Sequence, residues 1–367
     1  MIFFLGPLPP PVHGFSAINQ KMLNLLSEKS EVRVFNTSPG AQSRRSPLGK
    51  AFKLLNRVRQ FLTFLLLALV RRPDAFYAGL SGGMGQIFDT FYIVAARLSG
   101  ASIFLHHHSF VYVNEPKAYN RICLWLAGDA CHIALCDTMA EKLSGVYGIA
   151  SERICILSNA AYLDDRKETL PVQKSPRETL TLGFISNIIL EKGIAEFFDV
   201  VANLTQQGYR VKGRVAGPVD AGIQDVFSSM MEGQDEIEYV GPVYDDKKDA
   251  FYKSIDILLF PTKYRNEAEP LTILEAMRER IPVIAANRGC IRSMIARSGM
   301  GCPDIDHYVE DASESIKAIL NGTISLQSLS DSAYRQFCKM RSVHQARLDD
   351  LLEKIAAGKQ LHKPVRA

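Results

Sequence analysis

The stretch that most constrains the fold is residues 255–287, whose pattern predicts a strand, a loop, a helix and a second strand in close succession. The apolar run 255–260 predicts the first strand. Pro270 favours the start of a helix, because a proline in the first turn gives up an N–H that has no intrahelical partner. Pro282 ends that helix, and 283–286 predicts the next strand. A β–loop–α–β unit of this kind is typical of open α/β sheets, in which ligands bind at the carboxyl ends of the strands.

Two glutamates mark the loop and the helix of this unit. Glu267 lies in the loop and Glu275 lies one to two turns into the helix, with seven residues between them. A helix N-terminus presents unpaired N–H groups and a partial positive charge, which suit a phosphate. A glutamate deeper on the same helix can accept hydrogen bonds from ribose hydroxyls. The pattern therefore indicates a nucleotide-linked ligand, although an arbitrary pair of glutamates is more often solvated on the surface.

The run F-P-T-x-x-x-N-E-A-x-P-L-x-x-L-E-A-M-x-x-x-x-P-V-I-A, at residues 260–285, resembles the donor-site motif of retaining GT-B glycosyltransferases of the family 4 type. The resemblance implies an α/β protein of the GT-B fold, with two Rossmann-like doubly wound domains facing across a cleft. It also implies that Glu275 holds the ribose of a nucleoside-diphosphate sugar. Glu267 would hold sugar hydroxyls together with the backbone of Ala268, Pro270 and Leu271.

The length of 367 residues predicts two domains. We expect an acceptor-side domain at 1–165 and a donor-binding domain at 178–341, joined by a polar linker at 164–179. A last amphipathic helix at 342–357 is expected to cross back onto the first domain, as it often does in this fold. A net charge of +4 is too small to indicate a nucleic acid partner.

A phosphate clamp is expected where the second domain begins. Lys192 lies at a predicted loop-to-helix junction, where a cation can neutralise phosphate. A lone lysine is more often a surface residue, but in the family a lysine that matches Lys192 grips the donor diphosphate. Asn187 stands where the family usually has arginine, which removes one charge and a bidentate donor. Gly217 follows the predicted strand 211–216, and the resemblance places the main chain near Val243 against the nucleotide base.

The first domain supplies two further candidates. The loop 6–16, G-P-L-P-P-P-V-H-G-F-S, follows a predicted strand, and the family glycine that matches Gly14 lies near the donor phosphates and the acceptor. Three histidines, His106, His107 and His108, are expected to follow a strand at 102–105. Successive residues of an extended chain point to opposite faces, so a metal site built from all three is disfavoured. One of them lining the cleft, with His108 the best match to the family, is preferred over plain core or surface imidazoles.

Residues 51–71 predict a helix with one apolar side, formed by Leu54, Val58, Phe61, Leu62, Leu65 and Leu69. Basic residues flank this helix. One interpretation is a helix that lies on an anionic membrane surface. The favoured interpretation is a core helix that covers the sheet, because the chain runs directly from it into the next predicted strand. The polar loop 38–50 before it is expected to face the acceptor.

The predicted function is a retaining, hexosyltransferase-type glycosyltransferase that moves a sugar from a nucleoside-diphosphate sugar to a hydroxyl of a glycan or glycolipid acceptor. The resemblance implies a role in bacterial polysaccharide or glycolipid synthesis. Glu267, His108 and Lys192 are the expected catalytic residues. No cofactor or metal is expected, because Cys/His metal spacing is absent. Without a visible secretory signal or a bilayer-length apolar run, we expect a cytoplasmic protein, with peripheral contact at the inner face of the membrane as an option.

Three alternatives stay open at this stage. A nucleotide-sugar epimerase or a glycan phosphorylase can share the fold, but a phosphorylase needs pyridoxal phosphate on a lysine, for which the sequence shows no motif. The third alternative is a partner subunit that keeps the fold and has lost turnover, which Asn187 favours. The sugar, the nucleotide, the acceptor and the oligomeric state are not encoded in any pattern that we recognise.

Overall fold

The structure is a computed structural model, which describes residues 1–38, 47–164, 179–295, 298 and 301–359, without the side chains of 47–54. Most of the predicted linker at 164–179 and of the predicted loop at 38–50 lies outside the described residues. The chain divides into two compact units. Unit 1 comprises Met1–Tyr162 and Val343–Ala367, and unit 2 comprises Leu163–Ser342.

Unit 1 contains a parallel sheet whose described strands lie in the order β2-β1-β3-β4-β5-β6. The strands are β1 (Ile2–Gly6), β2 (Val32–Asn36), β3 (Ala75–Leu80), β4 (Ser102–His107), β5 (Cys131–Ala134) and β6 (Ile154–Ile156). Every residue of β1 and β3 is buried. Continuous apolar strands of this kind are typical of parallel sheets that are covered on both faces.

The helices of unit 1 connect these strands as right-handed α/β crossovers require. They are α1 (Gly14–Lys29), α2 (Pro47–Arg71), α3 (Gly85–Leu98), α4 (Val111–Asn114), α5 (Ala118–Leu126) and α6 (Asp137–Tyr147). The N-terminus of α1 is closed by a capping box, in which His13 Nδ1 accepts the Ser16 N–H and Ser16 Oγ accepts the His13 N–H.

Unit 2 contains a second parallel sheet, with its described strands in the order β11-β10-β7-β8-β9. The strands are β7 (Leu180–Ile185), β8 (Val211–Ala216), β9 (Ile237–Tyr239), β10 (Ile257–Phe260) and β11 (Val283–Ala285). Helices of this unit are α7 (Ile194–Gln206), α8 (Gln224–Met231), α9 (Asp245–Lys253), α10 (Leu271–Arg278), α11 (Ile291–Ile295) and α12 (Tyr308–Leu320). Its core joins apolar residues of the sheet to α7 and α12.

The last helix corrects a prediction. A separate last helix was expected at 342–357, but α13 (Leu326–Ala356) is one continuous helix of 31 residues. No glycine or proline interrupts this stretch of sequence, so nothing in it forces a break. Its final turns belong to unit 1, where Arg347 donates a hydrogen bond to Ile156 O at 3.2 Å. Short 3₁₀ turns complete the described chain, at Ser151–Arg153, Asn159–Tyr162, Leu190–Lys192 and Ile305–His307.

A second prediction was wrong for helix α2. One apolar side of this helix was expected to face the core. Phe64 and Ala68 are fully buried, whereas Val58, Leu62 and Leu69 of the predicted core side are exposed. A continuous solvent-facing stripe follows the helix at intervals of three and four residues, formed by Leu55, Val58, Leu62, Leu66 and Leu69. The helix therefore covers the sheet with a narrow seam and leaves a broad apolar surface uncovered. No described helix is both long enough and apolar enough to cross a membrane.

Each sheet has a switch point, where the chain changes the direction in which it adds strands. In unit 1 it lies between β1 and β3, and in unit 2 it lies between β7 and β10. The loops that follow neighbouring strands on either side of a switch point diverge, and this leaves a crevice at the carboxyl edge of the sheet.

Candidate functional site

The switch point of unit 2 brings the loops after β7 and β10 together. Gly193 follows the 3₁₀ turn that ends at Lys192 and has φ +83°, a conformation that favours glycine. A Cβ at Gly193 would lie 1.9 Å from Pro261 O, so no larger residue fits there without a shift. The Lys263 N–H also donates to Glu191 O at 2.8 Å. This close approach holds Lys192 beside the loop that contains Glu267.

Lys192 and Glu267 form an ion pair in this crevice, as Nζ of the lysine contacts Oε2 of the glutamate. Thr262 Oγ1 donates to the same carboxylate oxygen at 3.2 Å. The side chains are 20% and 12% exposed, so the pair is mostly but not wholly withdrawn from water. Among the described residues, Oε1 of Glu267 accepts no hydrogen bond. The pair thus presents an oriented acceptor and an ammonium with two further N–H donors.

Glu275, on α10, is held from the neighbouring helix α9. Lys248 Nζ lies 2.5 Å from Glu275 Oε2, and the Tyr252 hydroxyl donates to that oxygen at 3.1 Å. Burial, reinforced by the charge of Glu275, raises the pKa of Tyr252 well above its usual value, so the phenol remains a donor. Our sequence reasoning missed both residues. Their spacing of four on a helical segment, which places them on one face, was the available signal.

The N-terminus of α10 opens into the same edge of the sheet. Pro270 is the N-cap, with φ −65° and ψ 122°, one position earlier than the first-turn location predicted for it. No side chain caps the helix, and within the described chain the N–H groups of Leu271 and Thr272 have no acceptor. Unsatisfied N–H groups at a helix start carry a partial positive charge. This end of α10 can therefore accept an anion.

The loop before α10 is held in place by contacts with Gly289 and Cys290. Gly289 has φ +50°, and a Cβ there would lie 2.0 Å from Glu267 O. The Cys290 N–H donates to Ala268 O at 2.9 Å. Ala268 is 8% exposed, so the turn that carries Glu267 is packed rather than free. The backbone around Ala268 is thus ordered before any ligand binds, which lowers the entropic cost of recognition.

The remaining unit 2 candidates lie along the same edge. Gly217 has φ +127°, and a Cβ there would lie 1.8 Å from Ser186 O, which brings the loop after β8 against the residue before Asn187. The Gly217 N–H donates to Gly241 O at 2.9 Å, which joins the loop after β9. Asn187 is exposed and Val243 is partly buried. The structure therefore aligns these loops, but no described contact ties Val243 itself to the carboxylate pair.

In unit 1 the three histidines separate into different environments. His106 and His107 were expected beyond the end of a strand, but β4 includes both, and both are fully buried. His106 Nδ1 lies 2.6 Å from the Tyr77 hydroxyl. On the opposite face, His107 Nδ1 lies 2.7 Å from the Tyr112 hydroxyl and Nε2 lies 3.0 Å from Nδ1 of His132. Alternation along the strand therefore separates them, and His107 belongs to the core.

His108 follows the strand and is the histidine that reaches the carboxyl edge. Its ring centroid lies 3.9 Å from that of His106 and 4.5 Å from that of Phe15, the second residue of α1. Among the described residues Nε2 of His106 and of His108 are buried without a hydrogen-bond partner. Burial and His107 lower the pKa of His108 to about 3, and burial lowers that of His107 to about 3. These imidazoles are neutral at physiological pH.

Gly14 is the first residue of α1 and is exposed, next to Phe15 on the ring of His108. Asn19, one turn further along α1, was missed because a polar residue on an apolar helix face gives no functional signal. It donates to Pro7 O at 3.1 Å, while its buried Oδ1 is unpaired in the described chain. A Cβ at Gly79 would lie 2.6 Å from that oxygen, so the glycine makes room for it. Unit 1 thus gathers unpaired neutral acceptors and donors at its edge.

Comparison with known proteins supports the donor-site motif at the level of a domain. Residues 165–336 match the family model described as Glycosyl transferases group 1, so this segment forms a domain of that type. No curated protein sequence matches the chain. Within the described residues, no group of three or more His, Cys, Asp or Glu side chains could hold a metal ion.

Solved structures resemble the whole chain. HepE of Anabaena, in complex with UDP-glucose, is 15% identical and has a TM-score of 0.71, over 96% of this chain and all of that one. The lipopolysaccharide outer core galactosyltransferase WaaB is 16% identical with a TM-score of 0.71, over 96% and 98%. WaaG, a glycosyltransferase involved in lipopolysaccharide biosynthesis, is 13% identical with a TM-score of 0.63, over 95% and 99%. At these identities the likeness shows the fold, which is the GT-B fold with two Rossmann-like units.

Proposed function

We propose that the protein is a glycosyltransferase that transfers a sugar from a nucleoside-diphosphate sugar to an acceptor hydroxyl. The observation that carries this proposal is the arrangement at the switch point of unit 2. There, the ion pair of Lys192 and Glu267 lies in the loops beside the uncapped N-terminus of α10. Glu275, on the same helix, is held in place by Lys248 and Tyr252 of α9. An anion site beside two oriented carboxylates matches a diphosphate flanked by a ribose and a sugar.

Leaving-group stabilisation is the main chemical demand of such a transfer, because a diphosphate departs while positive charge develops on the sugar. Lys192 and the N–H groups of Leu271 and Thr272 supply positive charge that is already oriented. Binding of the diphosphate would draw the Lys192 ammonium into contact with phosphate oxygens, while Thr262 retains Glu267. The side chain of Asn187, which replaces the arginine of the family, adds no charge, so the diphosphate depends more heavily on Lys192.

The two glutamates bind the two remaining parts of the donor, the ribose and the transferred sugar. Oε2 of Glu275 is occupied by Lys248 and Tyr252, whereas Oε1 accepts no hydrogen bond within the described chain and is offered to the ribose hydroxyls. Oε1 of Glu267 is offered to hydroxyls of the transferred sugar. In unit 1, His108 is neutral, so its Nε2 can hydrogen-bond a hydroxyl group without introducing a net charge.

We propose retention of the anomeric configuration by attack on the face from which the diphosphate leaves, with the leaving phosphate accepting the proton of the attacking hydroxyl, because the unpaired oxygen of each glutamate is assigned to hydroxyls of the donor and not to a nucleophile. Glu267 is paired with Lys192 and accepts from Thr262, and Glu275 is paired with Lys248. The proposed reaction requires no cofactor or metal. A UDP-hexose donor and a glycan or glycolipid acceptor, in polysaccharide synthesis, are the first choices to test, since HepE binds UDP-glucose and WaaB is a galactosyltransferase of lipopolysaccharide.

The test is a panel of UDP-, GDP-, ADP- and dTDP-sugars, in which release of the nucleoside diphosphate is measured. Lys192→Ala and Glu275→Ala should each slow release at least about tenfold, which corresponds to about 1.4 kcal/mol of lost transition-state stabilisation. Lys263→Ala is the matched control. It removes a lysine of the loop that contains Glu267, but this lysine pairs with Glu196, at 2.7 Å. Wild-type rates in both of the first two variants would refute the donor site.

A catalytically inactive partner subunit is the second candidate, and the exposed Asn187 in place of arginine favours it. That protein would bind a nucleoside-diphosphate sugar without releasing the diphosphate. An epimerase would instead interconvert two nucleotide sugars without an acceptor. Product analysis by mass spectrometry and chromatography in the same panel separates these results from transfer.

We also propose peripheral contact with an anionic membrane through α2. Its solvent-facing stripe joins five large apolar side chains, and residues 47–72 contain six basic and no acidic residues. Apolar and cationic groups on one helix favour the boundary of an anionic bilayer. Two copies of α2 packed together would bring like charges into proximity, which disfavours a second chain on this surface.

Vesicle sedimentation tests this contact directly. The protein should pellet with vesicles of phosphatidylcholine and phosphatidylglycerol, and added salt should release it. Replacing both Leu62 and Leu66 with glutamine should abolish binding, whereas Ile122→Gln on α5, which is also exposed, should not. Sedimentation of the double variant at the wild-type level would exclude α2 as the contact.

A further inference from the structure

Unit 1 contains a cavity of about 450 Å³ at its own switch point. Its walls come from the loops after β1, β2 and β3 and from facing sides of α2 and α3. Pockets of a few hundred Å³ at such a position, mostly apolar with a small number of placed polar groups, are the usual form of a small-molecule site. The glutamates and lysine of the donor proposal lie in the other unit, so this cavity is a separate feature.

Several aromatic rings line the cavity, together with Arg57, whose guanidinium lies 5.0 Å from the centroid of the Phe88 ring. Phe61 of α2 lies 5.9 Å from Phe91 and 5.3 Å from Tyr92, both of α3, measured between ring centroids. Phe91 is 54% exposed and Phe88, one turn before Tyr92, is 38% exposed. Large exposed aromatic rings that line one cavity leave apolar surface in contact with water. A hydrocarbon group bound in the cavity would cover this surface and exclude the water.

A buried carboxylate lines the cavity. Asp89 is 4% exposed, and its Oδ2 accepts the Ser81 N–H at 2.8 Å. Burial raises the pKa of Asp89 to about 6, although hydrogen bonds from Ser81 and the charge of Arg57, which also lines the cavity, oppose the shift. A carboxylate that is desolvated in this way is costly unless further hydrogen bonds reach it. The group is suited to accept a bond from a hydroxyl.

Phe15 connects this cavity to the histidines of unit 1. The ring lines the cavity and also stacks against His108 at 4.5 Å between centroids. A ligand whose polar end lies at Asp89 would therefore be separated from His108 by a single aromatic ring. The carboxylate of Asp89 and the aromatic rings of the same cavity together indicate a ligand that has both a hydroxyl group and an apolar part.

We propose that this cavity binds the acceptor, and that the acceptor is an amphipathic molecule with a hydroxyl-bearing sugar head and a hydrocarbon chain. The head contacts Asp89, and the chain lies between Phe61, Phe88 and Phe91, with its far end directed to the exposed side of α2. This inference rests on the proposed transfer reaction and names the class of its second substrate. A bare, hydrophilic oligosaccharide would leave the aromatic rings uncovered.

The test uses hexyl, octyl and decyl glucoside as probes, below their critical micelle concentrations, with binding to the full chain measured by calorimetry in the absence of a donor. Each added methylene group that enters the cavity should tighten binding severalfold, so octyl glucoside should bind about tenfold more tightly than hexyl glucoside. Phe91→Ala should reduce that ratio to about twofold. Leu98→Ala, which truncates an exposed leucine of the same helix outside the cavity, should preserve it.

Two further variants locate the probe. Leu66→Gln on the solvent-facing stripe of α2 should not change the chain-length ratio, because that residue lies outside the cavity. If instead it removes the ratio while Phe91→Ala does not, the probe binds the helix surface and the cavity proposal is wrong. Asp89→Asn should weaken all three probes by a similar factor of at least about threefold, because it changes the contact with the head and not with the chain.

UDP binding, measured in parallel, separates this inference from the donor proposal. A wild-type protein that binds UDP but shows no dependence on chain length overturns the acceptor inference and leaves the donor site standing. Binding that depends on chain length, in a protein that binds none of the nucleoside diphosphates, would refute the role as an acceptor site. Support requires both chain-length dependence and its loss in Phe91→Ala.

Discussion

At the carboxyl edge of the unit 2 sheet, each of two glutamates contacts a lysine, whereas the polar groups around the histidines of unit 1 are imidazoles, a phenol and an amide. Glu267 pairs with Lys192, and Glu275 pairs with Lys248. His106 contacts Tyr77, and burial lowers the pKa of His106 well below its usual value. The two edges have the same parallel architecture and a switch point each, but the two glutamates of unit 2 lie in ion pairs, whereas the histidine cluster of unit 1 is neutral.

The difference shows how one architecture can serve two ligands. A diphosphate is bound by fixed positive charge, and carboxylates beside it prevent the empty site from carrying an excess of cations. Sugar hydroxyls need donors and acceptors of no particular charge, which neutral imidazoles supply. The electrostatic character of an edge, rather than its topology, therefore indicates what binds there.

The largest expected effect is the acid instability of unit 1. The folded pKa of His107 is about 3, well below its ordinary value of 6.5, so the folded state binds fewer protons than the unfolded chain between these values. Its stabilising contribution is present above pH 6.5 and is lost as the pH falls towards 3, by about 5 kcal/mol for this one group. Hydrogen exchange should show β4 and β5 opening at a higher pH than β7 and β8.

The buried His132 adds to this trend, because burial lowers its pKa as well. His307→Gln, at an exposed residue of unit 2, is the control and should leave the midpoint unchanged. Opening of both sheets at the same pH would contradict the contrast between a neutral edge and a charged one.

The next prediction concerns the close approach between the loops after β7 and β10 in unit 2. Gly193 and Gly208 have almost the same φ, +83° and +82°, but a Cβ at Gly193 meets Pro261 O whereas one at Gly208 meets nothing within 4 Å. Gly208→Ala should cost about 1 kcal/mol of backbone strain. Gly193→Ala should cost an additional 1–3 kcal/mol, roughly, because of overpacking. Denaturant unfolding measures both, and equal losses would show that the two loops do not need this contact.

A smaller effect concerns the carboxylate of the unit 1 cavity. Because the folded pKa of Asp89 is raised, the folded state binds more protons than the unfolded chain between about pH 4 and 6, and stability falls as the pH rises through this range. Asp89→Asn should abolish this loss and stabilise the protein at pH 7 by up to about 3 kcal/mol. Urea titrations at pH 4 and pH 7 test it. A variant that is less stable than wild type at pH 7 would show that the carboxylate is supported by contacts stronger than the one to Ser81.

The geometry of the unit 2 edge could be predicted in part because several of its residues are close in sequence. A strand, a loop and a helix within 257–278 bring Glu267 and Glu275 to one edge, and local patterning is sufficient to place them. Lys192, 75 residues earlier, was located only through the resemblance. Lys248 and Tyr252 were missed because the partner of Glu275 is set by how α9 packs on α10, which periodicity does not determine.

The unit 1 edge was harder to predict. The histidines were expected in a loop, but pairing with β3 and β5 extends β4 through His107, an effect of the neighbouring strands rather than of local propensity. Val58, Leu62 and Leu69 of the α2 stripe were assigned to the core, because apolar periodicity marks a face without saying what covers it. The cavity at Asp89 depends on four separate segments, and no single stretch of sequence carries its signal.

The most direct test of the account is calorimetric binding of UDP and UDP-glucose to the wild-type chain, Lys192→Ala, Glu275→Ala and the control Lys263→Ala. We predict that the wild type and the control bind alike, and that each of the other two variants binds at least about tenfold more weakly, since each loses a charged contact worth more than about 1.4 kcal/mol. Equal affinities in all four proteins would contradict the placement of the donor at the switch point between β7 and β10.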